Sequence, residues 1–218
     1  GAMLDAPLFT LLNKYKKIYT LHDPILHKGE KSIFLELLKT YVIKKSNKII
    51  ILNSFFKNYV SKHYNINIFD IYTIPHGAFF SDNVMKKSKF KNKVLFIGRI
   101  EEYKGISLLL DSFKVVLETN PHLELTIAGK GNVTPYINKL DLIKDNVLLI
   151  NKWIDEDEIQ NLIISHDFII LPYIDASQSG VIPVAFGNRS TVITTNVGAL
   201  SEQVPVGTGF VVNPNIEE

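Results

Sequence analysis

The sequence predicts an α/β protein built on a doubly wound parallel sheet, and three observations predict it. Short apolar runs alternate with polar segments whose apolar residues recur at three-to-four spacing, the grammar of βαβ units. One such run, Val94-Leu95-Phe96-Ile97, ends in Gly98 and is followed at once by Arg99 and Lys104, five residues apart. Another ends in Tyr173 and is followed by Ser177, Gln178, Ser179 and Gly180, small hydrogen-bonding residues at the start of a predicted helix.

In the first half, strands are expected at 17–21, 48–52 and 71–74, with helices near 31–45 and 54–63. Asn53-Ser54 reads as an N-cap after a buried strand. Three strands make a thin domain, a partial Rossmann-like one. The polar segment Phe80 to Asn92, rich in lysine, reads as a linker, so the expected divisions are 4–84, 85–92 and 93–218. The opening Gly1-Ala2-Met3 reads as a cloning remnant and is set aside.

In the second half, strands are expected at 93–98, 123–129, 147–153, 168–173, 191–195 and 209–213. Helices fall at about 105–119, 133–142, 155–166 and 179–188. Asp155, Glu156, Asp157 and Glu158 would fill a helix's first turn, where the macrodipole favours negative charge; a metal or catalytic role is the alternative.

Composition narrows the function classes. The chain has 218 residues, 46% of them hydrophobic, enough for a packed core. With no cysteine it has neither a disulfide framework nor a thiolate metal site, in keeping with a reducing compartment. No run of about 18 apolar residues predicts a membrane span. Charge is uneven: residues 1–93 hold 16 Lys against 6 acids, and residues 94–218 hold 8 Lys or Arg against 16 acids. A basic half suits an anionic membrane surface, or reflects only a biased composition. Nucleic acid is disfavoured, because these lysines are scattered and come without arginine or a binding motif.

In an open α/β sheet, ligands sit beyond the carboxyl ends of the strands, which is where Gly98, Arg99 and Lys104 fall. A planar guanidinium fork and a compact ammonium together suit a phosphate. Ser177, Gln178, Ser179, Gly180 and Val181 would face them with hydroxyl, amide and backbone donors, so that a diphosphate is gripped from both sides without a metal. The competing reading of Arg99 and Lys104 is a surface pair answering Glu101 and Glu102. Gly129-Lys130-Gly131 ends another strand on the same crevice, either as a ligand contact or as a tight turn.

These motifs, with Ile-Ala-Gly-Lys-Gly at 127–131, Leu-Pro-Tyr at 171–173 and Thr-Asn-Val-Gly-Ala-Leu-Ser-Glu at 195–202, resemble those of the retaining GT-B glycosyltransferases of family 4. Thr-Leu-His-Asp-Pro at 20–24, Ile-Ile-Ile-Leu-Asn-Ser at 49–54 and Ile-Pro-His-Gly at 74–77 resemble the last strands of that family's amino-terminal domain. Ser-Gln-Ser-Gly-Val-Ile-Pro at 177–183 is similar to a bacterial subset. The resemblance implies a GT-B fold and transfer of a sugar from a nucleotide-diphosphate sugar to a glycan or lipid-linked acceptor, with no cofactor and no metal. It implies donor contacts at Gly98, Gly129, Lys130, Gly131, Trp153, Ile154, Asp175, Ser177, Gln178, Ser179, Gly180 and Val181. Arg99 and Lys104 would stabilise the leaving diphosphate and His22 would lie near the donor sugar, with Asp23 and His27 on the acceptor side. Trp153 has packing as its alternative, His22 a structural role, and His76-Gly77 reads as a turn. A cytoplasmic protein, peripheral on the inner face of the plasma membrane, is the matching location.

The pattern departs from the family at two places. Many relatives carry two glutamates eight positions apart, which here fall at Ala176 and Val184. Arg189-Ser190-Thr191 stands where relatives commonly read Gly-Lys-Pro. A complete member would also carry further strands before residue 15 and a helical segment after residue 218. The alternative to an enzyme is therefore a non-catalytic glycosyltransferase-like subunit that binds nucleotide or scaffolds a partner. A flavodoxin-like sugar-phosphate regulator is a more distant rival, lacking the acidic strand-end cluster it would need.

Overall fold

The computed structural model describes residues 2–12, 14–25, 32–77 and 90–216. The chain divides into two compact units, Gly1–His76 and Gly77–Glu218. Residues 85–89 of the expected linker and His27 lie outside the described residues. Lys91 and Lys93 both donate backbone N–H groups to Asp167, which ties this end of the linker to the second unit.

The first unit runs α1 (Ala2–Leu11), β1 (Ile18–Leu21), α2 (Ile33–Lys44), β2 (Lys48–Ile51), α3 (Lys57–Tyr64) and β3 (Ile71–Thr73). Its strands form one parallel sheet in the order β1-β2-β3, in register at Thr20↔Ile50 and Ile50↔Tyr72. Leu21, Ile49, Ile51 and Ile71 bury with Val42, Ile43, Val60 and Tyr64 of the helices. Ser32 caps α2 by accepting the Leu35 N–H at 3.4 Å. Helix α3 begins one turn later than Asn53-Ser54 suggests. Asn53 instead accepts the Phe56 N–H at 3.3 Å and closes a turn ahead of the helix. Helix α1, not expected from the sequence, contains Pro7 and lies beside α2; Phe9 packs edge-on against Tyr19.

The second unit has β4 (Lys93–Ile97), α4 (Ile106–Thr119), β5 (Glu124–Ala128), α5 (Ile137–Asp141), β6 (Val147–Ile150), α6 (Glu156–Ser165), β7 (Phe168–Leu171), α7 (Val181–Gly187), β8 (Thr191–Thr195), α8 (Leu200–Gln203) and β9 (Gly209–Val212). Helix α4 buries Ile106, Leu109, Leu110 and Phe113, at the spacing of one helix face. Each such side chain contributes about 1.5–3 kcal/mol by leaving water. Asp155 caps α6 by accepting the Glu158 N–H at 2.8 Å. The expected helix 133–142 is split: Pro135 lies in a 3-10 turn over Thr134–Tyr136, and only then does α5 begin. Two strands end earlier than the sequence suggests: β7 stops at Leu171, before Pro172, and β6 at Ile150, leaving Trp153 in a loop.

All six strands pair in parallel in the order β6-β5-β4-β7-β8-β9. The chain first steps outward from β4 to β6, then returns to β7 and steps outward the other way. The order therefore reverses between β4 and β7, and the crevice past their carboxyl ends is the switch point where such sheets hold ligands.

Candidate functional site

The residues that follow β4 and β7 meet at this switch point. The first loop runs from Gly98 through Lys104, with a 3-10 turn at Glu102–Lys104, into α4; the second runs from Pro172 through Gly180 into α7. Ile174 and Asp175 both donate backbone N–H groups to the Tyr103 carbonyl, at 2.9 and 3.3 Å. Gly105 seals the same junction, with φ +72 and a position at which a Cβ would fall 1.8 Å from the Pro172 carbonyl oxygen. Only glycine meets both conditions.

Arg99 is exposed, its guanidinium donating to the Tyr103 hydroxyl at 2.7 Å and pairing with Glu101 at 3.2 Å. The ion pair anticipated as the surface alternative is thus present. An exposed pair contributes about 0–1 kcal/mol, less than the roughly 1.5–3 kcal/mol of a charge-assisted hydrogen bond to phosphate, so it does not bar an anion. Lys104 Nζ stands 3.7 Å from the Tyr173 ring centre and 4.9 Å from that of Tyr103. Tyr173 itself is fully buried, and burial pushes its phenol up to about 12 despite the Ser179 hydroxyl at 3.4 Å. It remains neutral at physiological pH.

On the facing loop, Ser177, Gln178 and Ser179 are buried and Gly180 is exposed. The Ser179 backbone is held at both groups by one amide: its N–H donates to Gln203 Oε1 at 2.8 Å and its carbonyl accepts from Gln203 Nε2 at 3.0 Å. Ser179 Oγ accepts the Val181 N–H at 3.3 Å. These serine groups therefore build the turn, and the side open to solvent is that of Gly180, ahead of Val181. Asp175 is half-buried on the same loop.

Gly129, Lys130 and Gly131 follow β5, beside β4. A Cβ on Gly129 would fall 1.8 Å from the Gly98 carbonyl oxygen, so this segment stacks backbone to backbone on the first loop. Ile100 donates its N–H to the Lys130 carbonyl at 3.0 Å, and Asn151 bonds both backbone groups of Gly131 at 3.1 Å. The tight-turn role is explicit in these bonds, and the Lys130 side chain is exposed at the same edge. Trp153 is 78% exposed, against the packing alternative, and Ile154 is buried. Both follow β6, two strands and about 10 Å from β4.

His22 and Asp23 belong to the first unit, at the carboxyl end of β1. His22 Nδ1 lies 2.6 Å from Asp23 Oδ2, and this bond raises the imidazole pKa above its ordinary value. The His76 ring packs edge-on to it at 5.4 Å, its own pKa lowered by burial and by His22. Sequence reasoning treated His76 as part of a turn and gave Tyr103, Tyr173 and Gln203 no role. Tyr103 had a signal, lying between the two cations; the other contacts are non-local. His166 is a core residue whose ring bonds Thr126 Oγ1 at 2.8 Å and the Leu162 carbonyl at 2.6 Å.

An apolar groove of about 320 Å³ runs along the sheet beside α4, between Phe113, Ile170, Ile193 and Val212. No charged residue lines it, which makes it unsuited to phosphate. Among the described residues, no cluster of three histidine or acidic side chains could hold a metal ion.

Residues 91–218 match the family described as glycosyl transferases group 1. A 41.2 kDa protein of the cps region of Klebsiella pneumoniae is 27% identical over 224 residues, covering 94% of this chain and 60% of that protein. Among solved structures, TarM superposes with a TM-score of 0.80 at 18% identity, over 100% of this chain and 44% of its own. Anabaena Alr3699/HepE, in complex with UDP, gives 0.71 at 15% identity, over 97% and 68%. At these identities the superpositions establish the fold, that of GT-B glycosyltransferases, and the chain spans less than two thirds of the Klebsiella protein and of TarM. With 128 of its 218 residues, 91 to 218, matched by the family, the chain belongs to the group 1 glycosyl transferases.

Proposed function

We propose that this chain contributes the donor half of a glycosyltransferase that moves a sugar from a nucleotide-diphosphate sugar to a hydroxyl of a glycan or lipid-linked acceptor, with retention, in surface polysaccharide or glycoconjugate synthesis. The observation that carries this reading is the junction of two loops at the β4/β7 switch point, one bearing Arg99 and Lys104 and the other ending at Gly180. A fold neighbour holds UDP, which supports a nucleoside diphosphate as ligand. Breaking a sugar–phosphate bond leaves charge on the departing diphosphate. Fixed cations placed there lower the barrier, because they gain most when that charge is fully developed. No metal is needed in this scheme. The Lys-rich first unit supports an anionic membrane surface as the setting.

Calorimetry with UDP and other nucleoside diphosphates tests the site. Binding is expected in the unmodified chain and is expected to fall at least tenfold in Arg99→Ala and in Lys104→Ala with folding intact. Equal affinity in all three proteins would remove the phosphate role from both residues. One observation favours a second reading, a nucleotide-binding but non-catalytic subunit: Val184 stands on α7 where many relatives have a glutamate. Donor hydrolysis by a longer protein containing this chain separates the two.

A further inference from the structure

We propose that Tyr103 is a positioning residue of the donor site, whose hydroxyl and ring hold Arg99 and Lys104 where both can meet one diphosphate. The inference deepens the proposed function and rests on that reading of the switch point. Tyr103 stands between the two cations in the chain, in the 3-10 turn Glu102–Lys104, and its side chain is turned inward, with the residue 7% exposed. Both cations converge on it. The Arg99 guanidinium donates to its hydroxyl at 2.7 Å, with Cζ 5.8 Å from the ring centre, and Lys104 Nζ lies 4.9 Å from the same centre. The Tyr103 carbonyl accepts the N–H groups of Ile174 and Asp175 from the facing loop. One buried residue thus touches both cations and the opposite wall.

The need for such a hold follows from exposure. The Arg99 side chain is 53% exposed, and an arginine that swings in solvent gives up its rotamer freedom on meeting a phosphate, so a contact that fixes it beforehand raises affinity. Tyr103 and Glu101 both touch it, and they differ in kind. The Glu101 carboxylate, 3.2 Å away, opposes the charge a phosphate needs and competes with it for the same N–H donors. A phenol takes one of the five guanidinium donors and leaves the charge whole, so its hold is compatible with a bound anion. Like charges gathered for one ligand also repel each other, and contact with the aromatic ring offsets part of that cost for Lys104.

Calorimetry with UDP and NMR of the nitrogen-15-labelled guanidinium groups test this on the chain. Tyr103→Phe keeps the ring and removes the hydroxyl. Its UDP affinity is expected to fall roughly three- to tenfold with Tm within about 2 °C, and the same substitution in an Arg99→Met background should have no further effect on binding. Glu101→Gln should not weaken binding. Arg99 and Arg189 are the only arginines of the sequence, so Arg189→Lys leaves one guanidinium signal. Without any ligand, rotation of that group about Nε–Cζ is expected to be faster in Tyr103→Phe. Unchanged rotation overturns the proposal, and so does a loss of affinity that persists in full in the Arg99→Met background, which would mean that the hydroxyl acts by another route. A Glu101→Gln variant as impaired as Tyr103→Phe overturns it as well, giving the positioning role to the carboxylate. Absence of UDP binding in the unmodified chain would remove the donor reading itself, and the guanidinium measurement would still decide whether Tyr103 holds Arg99.

Discussion

Lys104 Nζ stands 3.7 Å above the centre of the buried Tyr173 ring, so a cation delivered by the loop after β4 is seated on an aromatic delivered by the loop after β7. The contact joins both walls of the switch point. A cation over an aromatic face gains about 0.5–2 kcal/mol, and here it also fixes where the ammonium is held. Tyr173→Phe retains the ring and should leave nucleoside-diphosphate affinity within about twofold, whereas Tyr173→Leu should weaken it roughly two- to thirtyfold. In a Lys104→Met background the leucine substitution should have no further effect on binding. Additive losses in that double-mutant cycle, measured by calorimetry, would mean that Tyr173 acts otherwise than through Lys104.

Gly105 and Gly180 make opposite predictions. Alanine at Gly105 meets the Pro172 carbonyl oxygen at 1.8 Å in a left-handed conformation, so the two loops must part. A cost of about 2–4 kcal/mol and a fall in Tm of roughly 5–15 °C are expected. A Cβ on Gly180 meets nothing within 4 Å, and Gly180 has an ordinary right-handed conformation. Gly180→Ala should therefore hold Tm within about 2 °C while weakening nucleotide binding, because the added methyl stands on the open side of the turn. Thermal melts paired with calorimetry read both effects. Unchanged affinity in Gly180→Ala would place the anion elsewhere.

The fold was largely legible because its signals are local. Val94 to Ile97 and Ile49 to Ile51 are short apolar runs, rich in β-branched residues and closed by Gly98 and by Asn53-Ser54, the pattern of strands in a buried sheet, and Asp155 three residues before Glu158 specifies its own cap. The loop bearing Arg99 and Lys104 was legible for the same reason, glycine and charge following a strand. What sequence spacing concealed is what crosses the sheet. Tyr173 lies 69 residues from the Lys104 it seats, and Gln203 lies 24 residues from the Ser179 it clamps. Ser177 and Ser179 look like ligand donors by type; both are buried, and the Ser179 hydroxyl accepts the Val181 N–H within the turn. Helix α1 escaped because Pro7 interrupts its pattern.

Gln203 is a positioning residue on this geometry. Its amide accepts from and donates to the backbone of Ser179, and each such bond is worth about 0.5–1.5 kcal/mol. Gln203→Leu should cost about 1–3 kcal/mol and weaken nucleotide affinity without touching the ligand. Gln203→Glu keeps the acceptor for the Ser179 N–H and loses the donor to its carbonyl, so its affinity should fall between those of the other two proteins. A glutamate variant as impaired as the leucine variant would show that the clamp depends on the donor alone.

In the first unit, His22 and His76 are predicted to titrate in opposite directions. The Asp23 carboxylate holds His22 above its ordinary value, about 6.5 for imidazole, whereas burial and the neighbouring His22 hold His76 below its own. The contribution of His22 to stability is therefore present below the ordinary imidazole range and lost as pH rises through its raised pKa. That of His76 is present above the same range and lost as pH falls through its lowered pKa. Between the two values the pair holds one proton, on His22, and this charged ring lies edge-on to a neutral one, 5.4 Å between centres. NMR titration of the ring protons should give the higher midpoint to His22, and Asp23→Asn should narrow the gap between the midpoints by removing the hydrogen bond that most raises His22, while burial still holds His76 low. A higher midpoint for His76, or an Asp23→Asn variant with the separation intact, would contradict the assignment. The first outcome would mean that burial does not govern His76, and the second that the Asp23 carboxylate is not what holds the proton on His22.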